Sequence, residues 1–217
     1  MKELFTEIKY IFWDWNGTLL NDTEACLASM NGILSRKKMP LVTLERYKEI
    51  FTFPVIDYYK TLGFKFDEES FEDLSVEFID GYQTNNHLIQ IAGGAIEILD
   101  KFRLLGLKQV IVSAMRQDML EEQVEENRLR NYFDAIHGID HIYADNKAHL
   151  AEKFIEKNKL NPSEILFIGD TLHDWEVADS LNLKTILVSS GHQNRKILQS
   201  STAIIFNNLS DVLSIVE

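Results

Sequence analysis

The sequence predicts an α/β protein: a Rossmann-like, doubly wound parallel sheet carrying an inserted four-helix subdomain. Two observations lead there. Short apolar runs alternate with helix-length amphipathic segments along most of the chain, the pattern of βαβ units covering a sheet on both faces. Between about Asn21 and Asn86 the strand-like runs stop, and only helical periodicity remains.

Strands are expected at residues 10–13, 109–112, 135–136, 165–168, 185–188 and 203–206. Four of these are continuous β-rich runs, as strands buried on both faces should be. Crossover helices are expected near 95–105, 116–130, 147–158 and 174–181. In the strand-free interval, Asn21 with Glu24 reads as a capping box opening a helix whose face carries Leu27, Met30, Ile33 and Leu34. Leu44, Tyr47 and Phe51 suggest a second helix. Val55, Tyr58, Tyr59 and Leu62 suggest a third, ended by Gly63. Phe71, Leu74, Phe78, Ile79 and Tyr82 follow the spacing of a fourth. The expected organisation is a core of residues 1–20 and 87–217, with the helical subdomain at 21–86. The chain leaves near Asp22 and returns near 83–86.

Composition narrows the function. The 217 residues are 45% hydrophobic and 26% charged, with 22 basic against 34 acidic side chains and a net charge of −12. That balance argues against a nucleic-acid or anionic-membrane binder, which needs clustered cations. No apolar stretch approaches the roughly 20 residues of a membrane span. The amino terminus breaks its apolar residues with charges too often for a signal segment. A single cysteine, Cys26, cannot form an intrachain disulfide, so a reducing cytoplasm is expected. The six histidines show no zinc-ligand spacing. Monomer and homodimer both stay open.

The chemistry gathers at strand ends. The first strand runs into Asp14-Trp15-Asn16-Gly17-Thr18, a middle strand ends in Ser113, and another ends in Gly169-Asp170-Thr171-Leu172-His173-Asp174. Lys147 opens the helix before that last strand. In an open α/β sheet these carboxyl ends face the site. A carboxylate nucleophile, a hydroxyl, an ammonium and an acidic pair suit phosphoryl transfer with Mg²⁺ held by hard oxygens.

In order and spacing these segments resemble the haloacid dehalogenase (HAD) superfamily, in its phosphoglycolate phosphatase-like branch with a helical cap. The resemblance implies a Mg²⁺-dependent phosphohydrolase acting on a small phosphorylated metabolite. It makes Asp14 the nucleophile and a metal ligand, with Thr18 fixing the loop and contacting substrate. Ser113 and Lys147 would bind phosphoryl oxygens. Asp170 would ligate the metal, with Asp174 supporting it and orienting Lys147. Lys153 is the alternative lysine.

One position departs from the family pattern. Where the family carries its acid–base aspartate, this chain has Asn16, whose backbone carbonyl can still ligate metal but whose amide cannot transfer a proton near neutral pH. Three explanations follow. The leaving group needs no proton, as an acyl, aryl or phosphoanhydride group; another residue, from the cap or His173, takes the role; or the protein is a weakly hydrolytic binder or switch. Phosphonoacetaldehyde hydrolase, whose motif reads Asp-Trp-Ala-Gly-Thr, is also similar, and its chemistry requires a cap lysine, for which Lys48 and Lys60 are available. The remaining features have plainer readings. Phe51, Phe53, Tyr58 and Tyr59 read as helical core. Cys26 reads as a small packed residue and Gly191-His192 as loop. His173 reads as exposed, Trp13 as core and Trp15 as facing the inserted helices. The acidic run 121–126 reads as a solvated helix face.

Overall fold

The computed structural model describes residues 5–67, 69–140 and 147–216; residues 1–4, 141–146 and 217 of the expected core and residue 68 of the expected helical subdomain lie outside them. The strands in chain order are β1 (Tyr10–Trp13), β2 (Leu20–Asn21), β3 (Gln90–Ile91), β4 (Lys108–Arg116), β5 (Ala135–Ile139), β6 (Ile165–Gly169), β7 (Lys184–Val188) and β8 (Ile204–Phe206). All but β2 and β3 form one parallel sheet of order β5-β4-β1-β6-β7-β8. The chain builds outward from β1 through β4 to β5, then crosses to β6 on the other side. This puts the carboxyl end of β1 at the switch point of the sheet, where crossovers diverge and leave a crevice.

Alternation along the strands builds a two-sided core. Ile11 and Trp13 of β1, Ile111 of β4 and Leu166 and Ile168 of β6 pack on one face. They meet Ile98, Leu99 and Phe102 of α5 (Ala95–Leu104) and Leu120 and Val124 of α6 (Gln117–Glu126). Phe12, Val110, Val112 and Phe167 point to the other face, against Ala151 and Ile155 of α7 (Lys147–Asn158) and Val177 and Ala178 of α8 (Leu172–Ser180). Trp15 belongs to the first cluster, fully buried, with its indole N–H on Gln123 Oε1 at 2.8 Å. It therefore does not face the inserted helices as expected. A short α9 (Arg195–Leu198) and a carboxyl-terminal α10 (Leu209–Val216), neither anticipated, complete the core. No helix among the described residues is long and apolar enough to cross a membrane.

Between β2 and β3 lie α1 (Thr23–Arg36), α2 (Leu44–Ile50), α3 (Val55–Leu62) and α4 (Phe71–Thr84). They pack around a cluster of their own that includes Ala25, Met30, Leu34, Tyr47, Tyr59 and Leu74. β2 and β3 pair antiparallel, Leu20 with Ile91 and Asn21 with Gln90, so the outgoing and returning chains run side by side. The return thus falls at 85–91, later than expected, because α4 keeps its helical bonds through Thr84. α3 stops at Gly63, whose φ of 97° suits glycine best.

The expected Asn21–Glu24 capping box is absent. Asp22 occupies the N-cap without a side-chain cap bond, because its carboxylate turns to partners outside the helix. Capping boxes occur instead at Ser70–Asp73 and Thr171–Asp174. The latter starts α8 at Leu172, two residues before the expected 174. α6 ends at Glu126 rather than running to 130, and Arg128 then adopts a left-handed φ of 59°. Its acidic side chains, Glu121, Glu122, Glu125 and Glu126, are exposed as expected.

Candidate active site

Asp14 follows the last residue of β1, Ser113 lies in β4 and Asp170 follows β6, so three adjacent parallel strands deliver them to one edge. Lys147, the first residue of α7, reaches across from behind that edge and is buried. Its ammonium bonds Asp14 Oδ1 and Asp174 Oδ1, the latter at 2.5 Å. Asp14, Asp170 and Asp174 each offer an oxygen within 4.8 Å of the others. Thr18 Oγ1 lies 3.2 Å from Asp14 Oδ2 and 3.0 Å from Asp170 Oδ1; it has one proton and serves one carboxylate at a time. Thr18 lies behind the carboxylates and not on the cavity wall, whereas Asp14, Asn16, Ser113, Lys147, Asp170 and Asp174 all line it. Ser113 is buried, and its Oγ accepts the Met115 N–H at 3.1 Å. Lys153 is exposed and takes no part.

Burial sets the electrostatics. It pushes Asp14 well above the usual carboxylate range, against the pull of Lys147. It pushes Asp170 up to about 6. It also opposes the charge on Asp174, but Lys147 and Thr171 more than offset that and leave Asp174 below its ordinary value. Lys147 itself would be lowered by burial, yet its two carboxylates hold it above the ordinary range. Asp174 Oδ2 accepts from the main-chain N–H of Asp170 and Thr171 and from Thr171 Oγ1, so this carboxylate is the most fully bonded of the three.

Sequence reasoning missed the second half of the site. Asp22, fully buried, accepts from Asn16 Nδ2 at 2.7 Å, Gly17 N at 3.0 Å and Tyr82 Oη at 3.0 Å, and lies 3.2 Å from His192 Nε2. His192 lies in a loop after β7, as expected, and is buried. Its main-chain N–H donates to Asp170 Oδ2 at 2.6 Å, and its Nδ1 meets Tyr47 Oη of α2 at 2.8 Å. Gly17, at φ 79°, makes this approach possible: a Cβ there would stand 2.5 Å from the His192 ring and closer still to the Asp170 carboxylate. Cys26 is buried as expected, and its thiol adds to the cluster, 3.7 Å from Asp22 Oδ2. Asp22, Cys26 and His192 come together although the sequence shows no ligand spacing. The available signal was Asn16 itself: an amide that replaces a carboxylate needs an acceptor, and Asp22 is the next acid after it along the chain.

The aromatic residues also differ from expectation. Phe51, Tyr58 and Tyr59 pack within the inserted helices, Phe53 packs on Phe51, and all four at the same time line the cavity before Asp14. Phe53 stacks on His173 at 4.6 Å between ring centroids, so His173 is covered rather than exposed. Among the described residues the only lysine on the cavity wall is Lys147. Lys48 donates to the Ser190 carbonyl at 2.7 Å and Lys60 to Asp57 at 2.8 Å.

The Asp22–His192 pair has a pH signature. Burial would lower the imidazole, but the Asp22 carboxylate reverses this and carries it to about 9. Burial would raise Asp22, but the imidazolium with Asn16 and Tyr82 holds it below its ordinary value. The raised histidine stabilises the fold fully below its unfolded value of about 6.5 and loses that contribution as pH climbs through 9; the lowered aspartate contributes above about pH 4. His192→Gln is therefore expected to cost roughly 3 kcal/mol near pH 6 and much less at pH 9.5. Urea unfolding in EDTA at the two pH values measures it, and an equal cost at both would contradict the ion pair.

A family model described as haloacid dehalogenase-like hydrolase matches residues 11–188. Phosphoglycolate phosphatase 1 of Pseudomonas aeruginosa is 20% identical over 213 residues, covering 94% of this chain and 78% of that protein. Pyrophosphatase PpaX of Bacillus cereus is 24% identical, with 96% of each chain covered. Among solved structures, a haloacid dehalogenase-like family hydrolase of Streptococcus pneumoniae superposes with a TM-score of 0.83 at 17% identity, over 98% of this chain and all (100%) of that one. A predicted phosphoglycolate phosphatase of Haemophilus somnus gives 0.80 at 19% identity, over 98% and 99%.

Proposed function

The chain belongs to the haloacid dehalogenase-like hydrolases, and on that premise we propose that it is a Mg²⁺-dependent phosphohydrolase of a small phosphorylated metabolite, working through an aspartyl phosphate on Asp14. The observation that carries this reading is the convergence of Asp14, Lys147, Asp170 and Asp174 beside Ser113 at one end of three adjacent strands. Relatives named phosphatase and pyrophosphatase support the same reaction class.

A divalent cation fits the donors. Four buried carboxyl groups, Asp14, Asp22, Asp170 and Asp174, face two buried cations, Lys147 and His192, so two of the four have no cation to match them. Asp14, Asp170 and the Asn16 main-chain carbonyl would hold Mg²⁺ with Asp174 in support, and the ion would supply charge neutralisation at the phosphoryl group.

In the first half-reaction an Asp14 carboxylate oxygen attacks phosphorus in line and the bond to the leaving oxygen breaks. Ser113 and Lys147 hold phosphoryl oxygens, and Thr18 keeps Asp14 and Asp170 oriented. Water then attacks the aspartyl phosphate, restoring the carboxylate and releasing phosphate. Residues 21–86 act as a cap over the core of 1–20 and 87–217; they shield the site from bulk water and contact the leaving group. A carbon–phosphorus hydrolase would need a Schiff-base lysine from those helices, and Lys48 and Lys60 are engaged elsewhere.

The test is phosphate release from a panel of alkyl, aryl and acyl phosphates and pyrophosphate, with Mg²⁺ and with EDTA. Release that requires Mg²⁺ is expected. Release that EDTA leaves untouched would remove the cofactor, and no release from any compound would leave the non-hydrolytic binder or switch.

A further inference from the structure

The cavity before Asp14 has a volume of about 170 Å³, close to the ~150 Å³ apolar cavity that admits benzene. A phosphoryl group held at Asp14 and Lys147 occupies only its polar end. The rest faces Phe51, Phe53, Val55, Phe78 and Ile79, all only partly buried as the cavity stands. Tyr58 and His173 also line the cavity, but the Tyr58 hydroxyl and His173 Nε2 are themselves enclosed and not open to a ligand.

The charges on the wall disfavour a second anionic group. Its cations are Lys147, held by Asp14 and Asp174; His192, held by Asp22; and Arg116, which grips both oxygens of Asp118 at 2.5 and 2.9 Å. The leaving half of pyrophosphate or phosphoglycolate would carry its charge among phenyl rings, with no unengaged cation among the described residues to meet it.

We propose, resting on the phosphohydrolase reading above, that this cavity is a leaving-group subsite for an aromatic ring and that the substrates are aryl phosphates. The subsite also accounts for Asn16. When an Asp14 oxygen bonds to phosphorus, the bond from phosphorus to the ring oxygen breaks and its electron pair leaves on that oxygen as a phenolate. A phenol ionises near 10, whereas an oxygen as basic as hydroxide corresponds to about 15.7, so the phenolate leaves without a proton donor and takes its proton from water afterwards. Water then adds to phosphorus as the bond to Asp14 breaks. The sum is aryl phosphate plus water giving phenol plus inorganic phosphate.

Initial rates of the full chain with Mg²⁺ on phenyl phosphate, pyrophosphate, 2-phosphoglycolate and acetyl phosphate decide the matter, with Asp14→Asn as the control. Phenyl phosphate is expected to exceed pyrophosphate and phosphoglycolate at least tenfold in kcat/KM, and phenol is expected to compete with acetyl phosphate. Phe53→Ala is expected to reduce the preference for phenyl over acetyl phosphate about fivefold, through KM. A ratio below tenfold, with release that still requires Asp14, overturns the aromatic subsite and leaves the phosphohydrolase standing. No Asp14-dependent release from any of the four overturns both.

Discussion

Asp14→Asn is expected to lower phosphate release by about 10⁴-fold or more while leaving the fold at least as stable as it was. The activity loss follows from chemistry. An amide of the same shape cannot supply an anionic oxygen to phosphorus, and removing a nucleophile forfeits nearly the whole catalytic unit. The stability half follows from electrostatics. Asp14 is buried beside Asp170 and Asp174, and burial holds its carboxyl well above the ordinary value despite Lys147. A carboxyl raised by folding favours the fold while protonated, and that contribution drains away as pH rises through the raised value. The wild type therefore loses stability as pH rises through that raised value, and the amide does not. Lys147 keeps its bond to Asp174 at 2.5 Å, so the variant does not strand a buried cation. Thermal unfolding in EDTA between pH 4 and 8 should show the variant drawing level with or passing the wild type as pH rises. Retained turnover within tenfold would remove Asp14 from the chemistry, and a large fall in Tm across the range would make it a structural anchor.

The strands that place this site were legible because each is buried on both faces. β1 matches its expected bounds, and β6 and β7 each differ by one residue. Such runs have little freedom to be anything else. β2 and β3 are two residues each, too short to show a period, and they exist only because the two chain passages meet. The Asn21–Glu24 pattern failed for a related reason. A local capping pattern competes with tertiary partners, and Asp22 has four of them in Asn16, Gly17, Tyr82 and His192.

The same distinction divides the site. Asp14 and Asp170 could be read because strand ends announce themselves; Ser113 is expected at such an end, whereas β4 runs three residues past it to Arg116. Lys147 could be read because it opens a helix. His192 and Tyr47 could not, since their meeting at 2.8 Å joins a core loop to an inserted helix and leaves no trace in local spacing. The aromatic wall shows a further limit. Helical periodicity marks Tyr58 and Tyr59 as facing inward, but it cannot tell a neighbouring helix from a cavity, and here they face both.

Asn16→Asp is expected to raise alkyl phosphate hydrolysis roughly 10²-fold, toward the lower end of what a positioned acid supplies, while aryl phosphates change only a few-fold. The structure gives this gain a condition. Asn16 Nδ2 donates to Asp22 Oδ2 at 2.7 Å, so the substitution sets two carboxyl groups in contact inside the site. Two like charges that close cannot both ionise, and the pair must retain a proton into the neutral range. That shared proton is the acid the alkoxide leaving group lacks. The gain should therefore fade as pH rises and the pair loses it. It should also be smaller at pH 7 in the double variant Asn16→Asp/Asp22→Asn, where an amide at position 22 donates to the introduced carboxyl group and favours its ionised form. Paired rates on alkyl and aryl phosphates for both variants across pH 5–9 measure this. Equal gains for both leaving groups would mean that proton donation is not what Asn16 withholds. A double variant matching the single one would mean that Asp22 does not govern the proton.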